Sequence, residues 1–148
     1  SSESNRMMES TEQATGARVG EFMSRDPATV PYEGTLDDAL MVMIERGRNS
    51  VLVMDDGRLA GLIDDTDIGR LVAKSVDIKR ALVRDFVTAC VLTGNQPCVQ
   101  IKQDDTVMNA LRVMDSWTAR QIVVVDEKDE VVGTISVLDA LKGWKKKV

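Results

Sequence analysis

Apolar residues at Leu36, Ala39, Leu40 and Met43 recur at three- and four-residue steps, which predicts a helix with one buried face. Thr35 and Asp38 have the N-cap and N3 spacing of a capping box, and Gly47 supplies the stop. The period then changes. Val51, Leu52, Val53 and Met54 form a short continuous apolar run, Asp55, Asp56 and Gly57 read as a turn, and a second apolar run covers 59–63. That is strand, turn, strand. Ile68, Leu71 and Val72 return to helical spacing, so a second helix is expected over 64–74. Upstream, Val19, Phe22 and Met23 predict a short leading helix, and Thr29 and Val30 a brief strand between Pro27 and Pro31. The unit reads βαββα.

The second half repeats this pattern. Thr35, Leu36, Ala39, Leu40, Met43, Val51 and Val53 recur 71 positions later as Thr106, Val107, Ala110, Leu111, Met114, Ile122 and Val124. Gly61, Ile63 and Asp67 recur at an offset of 72 as Gly133, Ile135 and Asp139, so one residue has been added in the turn. The second copy is expected to hold a strand at 99–101, a helix opened by Thr106, strands at 122–125 and 131–135, and a helix over 136–144. Two copies of one supersecondary unit imply that neither buries its apolar face alone. The expected fold is α+β, two βαββα repeats related by a pseudo-twofold axis, with right-handed crossovers placing helices on one sheet face. Any ligand is expected between or beside the copies. Residues 1–17 are expected to form a mobile N-terminal arm, in which Met7 and Met8 either dock or belong to a frayed tail, the simpler reading, with 18–78 as the first repeat and 79–148 as the second. The second repeat carries an insertion at about 89–97, including Thr93, Gly94, Asn95, Gln96 and Pro97, that reads either as a gate to a cleft or as a solvent loop. Met41, Met43 and Met114 read as core filler.

Composition narrows the function. With 148 residues and 43% hydrophobic residues the chain can bury one good core. A net charge of −5 gives no support to general nucleic-acid binding. No apolar run reaches the roughly 18 residues of a membrane span, and the polar start lacks the core of a secretory signal, so a cytoplasmic setting is the simplest expectation. Cys90 and Cys98 have no histidine to join them in a metal site, because the chain contains none, and the same absence excludes histidine-based triads. They read as structural or incidental thiols, or as a disulfide or redox pair. Lys145, Lys146 and Lys147 after Trp144 offer a membrane or acidic-partner patch, or simply cations at a helix C-terminus, the simpler reading.

The segments Phe22-Met23-Ser24, 35–43, the 51–55 strand with its acidic turn, and above all Ile122-Val123-Val124-Val125-Asp126 followed by Gly133-Thr134-Ile135-Ser136-Val137-Leu138-Asp139 resemble a tandem of cystathionine beta-synthase (CBS) domains. The resemblance covers about residues 19–144. It implies a Bateman module that binds adenosine-containing ligands in two clefts and forms a homodimer. By the same resemblance Ser136 contacts phosphate, Asp139 accepts both ribose hydroxyls, and Arg120 and Lys142 are cations for phosphate. Gln121, Ile135, Val99 and Ala28 join the expected ligand-binding set, with Asp67 and Asp64 at the corresponding place in the first copy.

Ser136 and Asp139 also have capping-box spacing, so they have a structural role whether or not a ligand binds. A helix N-terminus directly after a strand offers unpaired N–H groups and a positive dipole end suited to phosphate. The first copy departs from this pattern, because Asp64 stands where the hydroxyl should be and Asp65 lies beside it. A carboxylate about 4 Å from a phosphate costs roughly 1 kcal/mol in water and about 4 at an effective dielectric near 20. That is about five-fold to nearly a thousand-fold in affinity. The first cleft is therefore expected to stay empty, to prefer uncharged adenosine or S-adenosylmethionine, or to need a cation such as magnesium; alternatively the three aspartates only cap their helix. The expected function is a regulatory ligand-sensing module for AMP, ADP, ATP or S-adenosylmethionine, acting mainly through the second copy on an unidentified regulated protein or through its dimer. A constitutive dimerisation scaffold with vestigial clefts is the alternative. A hydrolase built on Asp64, Asp65 and Asp67 would lack both a Walker-type lysine loop and a general base.

Overall fold

The computed structural model describes residues 16–89 and 99–147. Met7, Met8, Cys90, Cys98, nearly all of the expected arm and most of the 89–97 insertion lie outside the described residues. In chain order the elements are α1 (Val19–Phe22), β1 (Ser24–Arg25), β2 (Thr29–Pro31), α2 (Leu36–Arg46), β3 (Ser50–Asp55), β4 (Arg58–Asp64) and α3 (Asp65–Ala73). A single 3-10 turn (Val83–Asp85) follows, then β5 (Thr88–Ala89), β6 (Gln100–Lys102), α4 (Val107–Trp117), β7 (Gln121–Val125), β8 (Val131–Ser136) and α5 (Val137–Lys147). The described chain divides into two compact units. The first takes residues 27–89, and the second joins 16–26 to 99–147.

Both expected βαββα copies are present, on one plan. In the first unit the sheet order is β2-β3-β4-β5, with β2 parallel to β3 and the other pairs antiparallel. In the second it is β6-β7-β8-β1, again with only the first pair parallel. Each parallel pair is joined through a helix, α2 or α4, as a crossover requires. Thr35 caps α2 by accepting from the N–H of Asp38, and Thr106 caps α4 by accepting from that of Asn109. The apolar stripes of these helices lie against their own sheets: Leu36, Ala39 and Met43 with Val51, Val53 and Ile63 in one core, Val107, Ala110 and Met114 with Ile122, Val124 and Ile135 in the other. Leu52, Val123 and Val125 are buried too, outside these two cores. The central strands are thus buried on both faces, which is why the sequence shows continuous runs there rather than alternation.

Three differences from the sequence reading stand out. The strand expected at 99–101 begins one residue later. The last helix starts at Val137, with Ser136 closing β8, and runs past 144 to Lys147, so the terminal lysines belong to its last turns; Lys146 Nζ lies 5.9 Å from the centroid of the Phe22 ring. Each sheet also has a short fourth strand, β5 or β1. Gly61 pairs with Ala89 on β5, and Gly133 with Arg25 on β1. A Cβ at Gly133 would run into the carbonyl of Ser24, so a glycine is needed for β1 to lie alongside.

The segments that provide these fourth strands also bond to the helix heads. Leu36 N–H donates to Ala81 O and Val83 N–H to Gly34 O, at 2.9 Å each. In the second unit Val107 N–H donates to Ala17 O at 2.9 Å and Val19 N–H to Asp105 O at 2.8 Å. The sequence groups 18–26 with the repeat that follows it; by hydrogen bonding, this stretch completes the sheet of the other repeat.

Candidate functional site

The last strand of each sheet's hairpin runs directly into a helix. In the second unit Ser136 ends β8 opposite Gln121, the first residue of β7. Ser136 Oγ accepts from the N–H of Asp139 at 3.0 Å, and Asp139 Oδ2 accepts from the N–H of Ser136 at 3.0 Å. The carbonyl of Arg120 accepts from the N–H of Val137 at 3.0 Å. Two of the first three N–H groups of α5 are thereby engaged, and that of Leu138 is left, so the free donor set is narrower than a bare helix start would give. The chemistry on offer is one hydroxyl that can still donate, one carboxylate with lone pairs to spare, one N–H and the positive end of an 11-residue helix.

The start of α3 repeats this geometry with different charge. Asp64 Oδ1 accepts from the N–H of Asp67 at 2.9 Å, Asp67 Oδ2 accepts from that of Asp64 at 3.0 Å, and Asn49 O accepts from the N–H of Asp65 at 2.9 Å. Asp64, Asp65 and Asp67 crowd this turn, whereas Asp139 is the single carboxylate in the first turn of α5. Burial raises the pKa of Asp67 above the ordinary carboxylate value of 3.8, and the neighbouring Asp64 charge adds to the rise; the Asp64 N–H and Arg70 pull the other way. Among the described residues no three acidic, cysteine or histidine side chains converge as a metal site.

Ser136, Asp139, Arg120 and Gln121 are thus brought to one end of the second sheet. Lys142 lies one turn along α5 from Asp139 and is exposed. Val99 stands just before β6, where its carbonyl takes the N–H of Val123 at 3.4 Å and its side chain packs on the core. Ile135 is fully buried among the core residues, so its side chain faces away from Ser136. Ala28 is likewise in the core of the first unit, with its carbonyl accepting from the N–H of Leu52 at 2.8 Å.

Two residues to which the sequence reading gave no role at the site share the sheet face of Gln121 and Ser136. Thr134 is buried, and Gln100 holds a buried side-chain oxygen, Oε1, without a hydrogen-bond partner. A threonine where the first copy has Leu62 was the visible signal for one; Gln100 between Val99 and Ile101 was the signal for the other. A cavity of about 250 Å³ lined by Lys102, Gln103, Asp104, Asp126 and Glu127 lies at the opposite ends of β6 and β7. There Lys102 Nζ is held by Asp129 Oδ1 at 2.7 Å and by the Asp126 carbonyl at 3.3 Å. With its cation engaged and three carboxylates on its rim, this cavity is poorly suited to phosphate.

Residues 19–74 and 83–145 each match the family model described as the CBS domain. An uncharacterised protein of Methanocaldococcus jannaschii is 29% identical over 125 residues, 84% of this chain and 43% of that protein. The arabinose 5-phosphate isomerase of Pseudomonas aeruginosa is 28% identical over 109 residues, 73% of this chain and 31% of that enzyme. The chain therefore spans less than half the length of these relatives. Among solved structures, a CBS domain protein of Pyrobaculum aerophilum complexed with AMP superposes with a TM-score of 0.71 at 21% identity, covering 82% of this chain and 88% of that one. The Arabidopsis thaliana CBS-pair protein CBSX2 in complex with AMP gives 0.68 at 21% identity, covering 88% and 98%. At such identities the superpositions speak to fold. In no described residue is there a helix long and apolar enough to cross a membrane.

Proposed function

Since this chain belongs to the CBS domain family and carries the domain twice, we propose that it is a regulatory binding module whose site at the start of α5 takes an adenosine-containing ligand. The observation that carries the reading is the Ser136–Asp139 pair. It puts a hydroxyl and a helix dipole where a phosphate would sit, and a single carboxylate, suited to a ribose diol, one turn on. Two fold neighbours that hold AMP support this ligand class. Arg120, beside the start of β7, and Lys142 add positive charge near the phosphate end, and Gln121 and the backbone at Val99 and Ile135 line the approach. Binding biases the module between conformations and so changes its affinity for a regulated protein or for a second copy, with no chemistry done on the ligand.

Thermal stability with AMP, ADP, ATP, S-adenosylmethionine and adenosine, each with and without magnesium, tests this reading. At about 100 times its dissociation constant a ligand adds roughly 2.7 kcal/mol. One ligand should raise the melting temperature of the protein and fail to raise that of Asp139→Ala. No shift with any of them, together with ligand-independent dimerisation, would favour a constitutive scaffold in which Ser136 and Asp139 do nothing but cap α5.

A further inference from the structure

The unpaired Oε1 of Gln100 calls for a cause, because buried acceptors in folded proteins almost always have a donor. Register places it. Gln100 pairs with Val123, Val123 with Thr134, and Gln121 with Ser136, so these side chains share one sheet face, opposite the core residues Ile101, Ile122 and Ile135. From Ser136, Gln100 lies two strands across and two residues along, about 12 Å by strand spacing and rise. That matches the reach of a mononucleotide whose phosphate rests at Ser136. The first unit has Thr29, Leu52 and Leu62 at the corresponding three positions, a largely apolar row beside the carboxylate-rich start of α3. The polar row and the hydroxyl cap therefore occur on the same unit.

We infer that Gln100 reads the base of the ligand: its carboxamide oxygen accepts an N–H of the exocyclic 6-amino group of adenine. The inference rests on the proposed adenosine site at α5. A 6-oxo purine presents an acceptor at this place, and to meet it the carboxamide would have to turn Nε2 outward and leave Oε1 buried and unpaired, so the site selects adenine over hypoxanthine. Oε1 is closed from solvent, but Gln100 as a residue is only part-buried. Rotation about its side-chain bonds brings the oxygen to the ligand, and its missing hydrogen bond forms only when the ligand is there.

The test is calorimetric titration of the protein and of Gln100→Met with AMP against IMP and ATP against ITP. Methionine keeps the length of the side chain and removes the acceptor. The protein should bind the 6-amino nucleotide about ten-fold more tightly than its 6-oxo partner, and Gln100→Met should lose that preference through weaker binding of the amino form. The unliganded Gln100→Met protein should melt no lower than the parent, since a buried unpaired acceptor has gone. Equal affinities in the parent, or a preference kept in Gln100→Met, would overturn the role of Gln100 while leaving the adenosine site standing. Binding of none of the four nucleotides would overturn the site and this inference with it.

Discussion

The starts of α3 and α5 share a backbone and differ in charge. Each follows the last strand of a hairpin, each closes a reciprocal pair of side-chain to backbone bonds across three residues, and each hands the N–H after the cap to a carbonyl just before the neighbouring strand. For capping a helix, aspartate and serine are near equals. For meeting an anion they are opposites, since one adds a negative charge where the other adds a donor. Two copies of one fold can therefore cap their helices equally well while offering an anion opposite surroundings.

Exchanging the caps is the strongest way to break that comparison. Ser136→Asp should leave the fold intact, within about 0.5 kcal/mol, because Asp64 already caps α3 in the same geometry. It should weaken nucleotide binding by about five-fold to nearly a thousand-fold, the Coulomb cost of a carboxylate beside phosphate at high or intermediate dielectric. Asp64→Thr is the converse and should strengthen binding or add a second site by calorimetry. Unchanged affinity in Ser136→Asp would mean that phosphate does not approach α5.

Gly133→Ala acts on the fold instead. The added Cβ meets backbone at Ser24, which cannot swing aside as a side chain can, so a loss of about 1–3 kcal/mol is expected in chemical denaturation. Gly61→Ala makes the comparison sharper, since Gly61 faces β5 as Gly133 faces β1. A smaller loss at Gly61 would show that the two fourth strands are held with different strength, and no loss at Gly133 would show that β1 is readily displaced.

Those glycines also mark the limit of what the sequence makes legible. The helices and central strands are readable because burial imposes a period or a continuous apolar run on four or more residues. Among the described residues, the reciprocal helix caps at Thr35, Asp64 and Ser136 follow from three-residue spacing alone. The two-residue strands β1 and β5 are too short to carry a period, and their partners are far away in the chain. Their trace was the glycine at 61 and 133, joined by a second offset: Val19 and Phe22 recur 64 positions later as Val83 and Phe86. At the site, spacing identifies Ser136 and Asp139, but it cannot show that the Arg120 carbonyl occupies the first N–H of α5, or that Ile135 turns inward. Gln100 acquires a face only once its register with Val123 is known.

The helices that precede these hairpins differ at their other ends. Gly47 ends α2 with φ 61°, and Thr118 ends α4 with φ 51°. The left-handed conformation is free for glycine and strained for a β-branched residue, at roughly 1–2 kcal/mol. Thr118→Gly should therefore raise stability by about 1 kcal/mol, less what the more flexible unfolded chain takes back. Gly47→Thr should lower it by a similar amount. A stability loss in Thr118→Gly would mean that the Thr118 side chain does something in α4 for which α2 has no counterpart.

The smallest effect concerns protons. Asp67 is part-buried against Asp64, and its pKa is raised by burial first and by the Asp64 charge second, so the folded state holds this proton more tightly than the unfolded chain does. A raised acid contributes stability that is fully present below the unfolded value of about 3.8 and is lost as pH rises through the folded value above it. Solvent beside the carboxylate limits the size of the effect. Asp67→Asn keeps a cap acceptor and removes the titration. The difference in melting temperature between this variant and the parent should move in favour of asparagine as pH rises from about 3 to 6, and a flat difference would show that Asp64 and Asp67 share the turn without mutual cost. If the difference does grow, the first copy pays an electrostatic penalty at neutral pH that the Ser136 cap avoids, and Asp64→Thr should remove part of it without any ligand present.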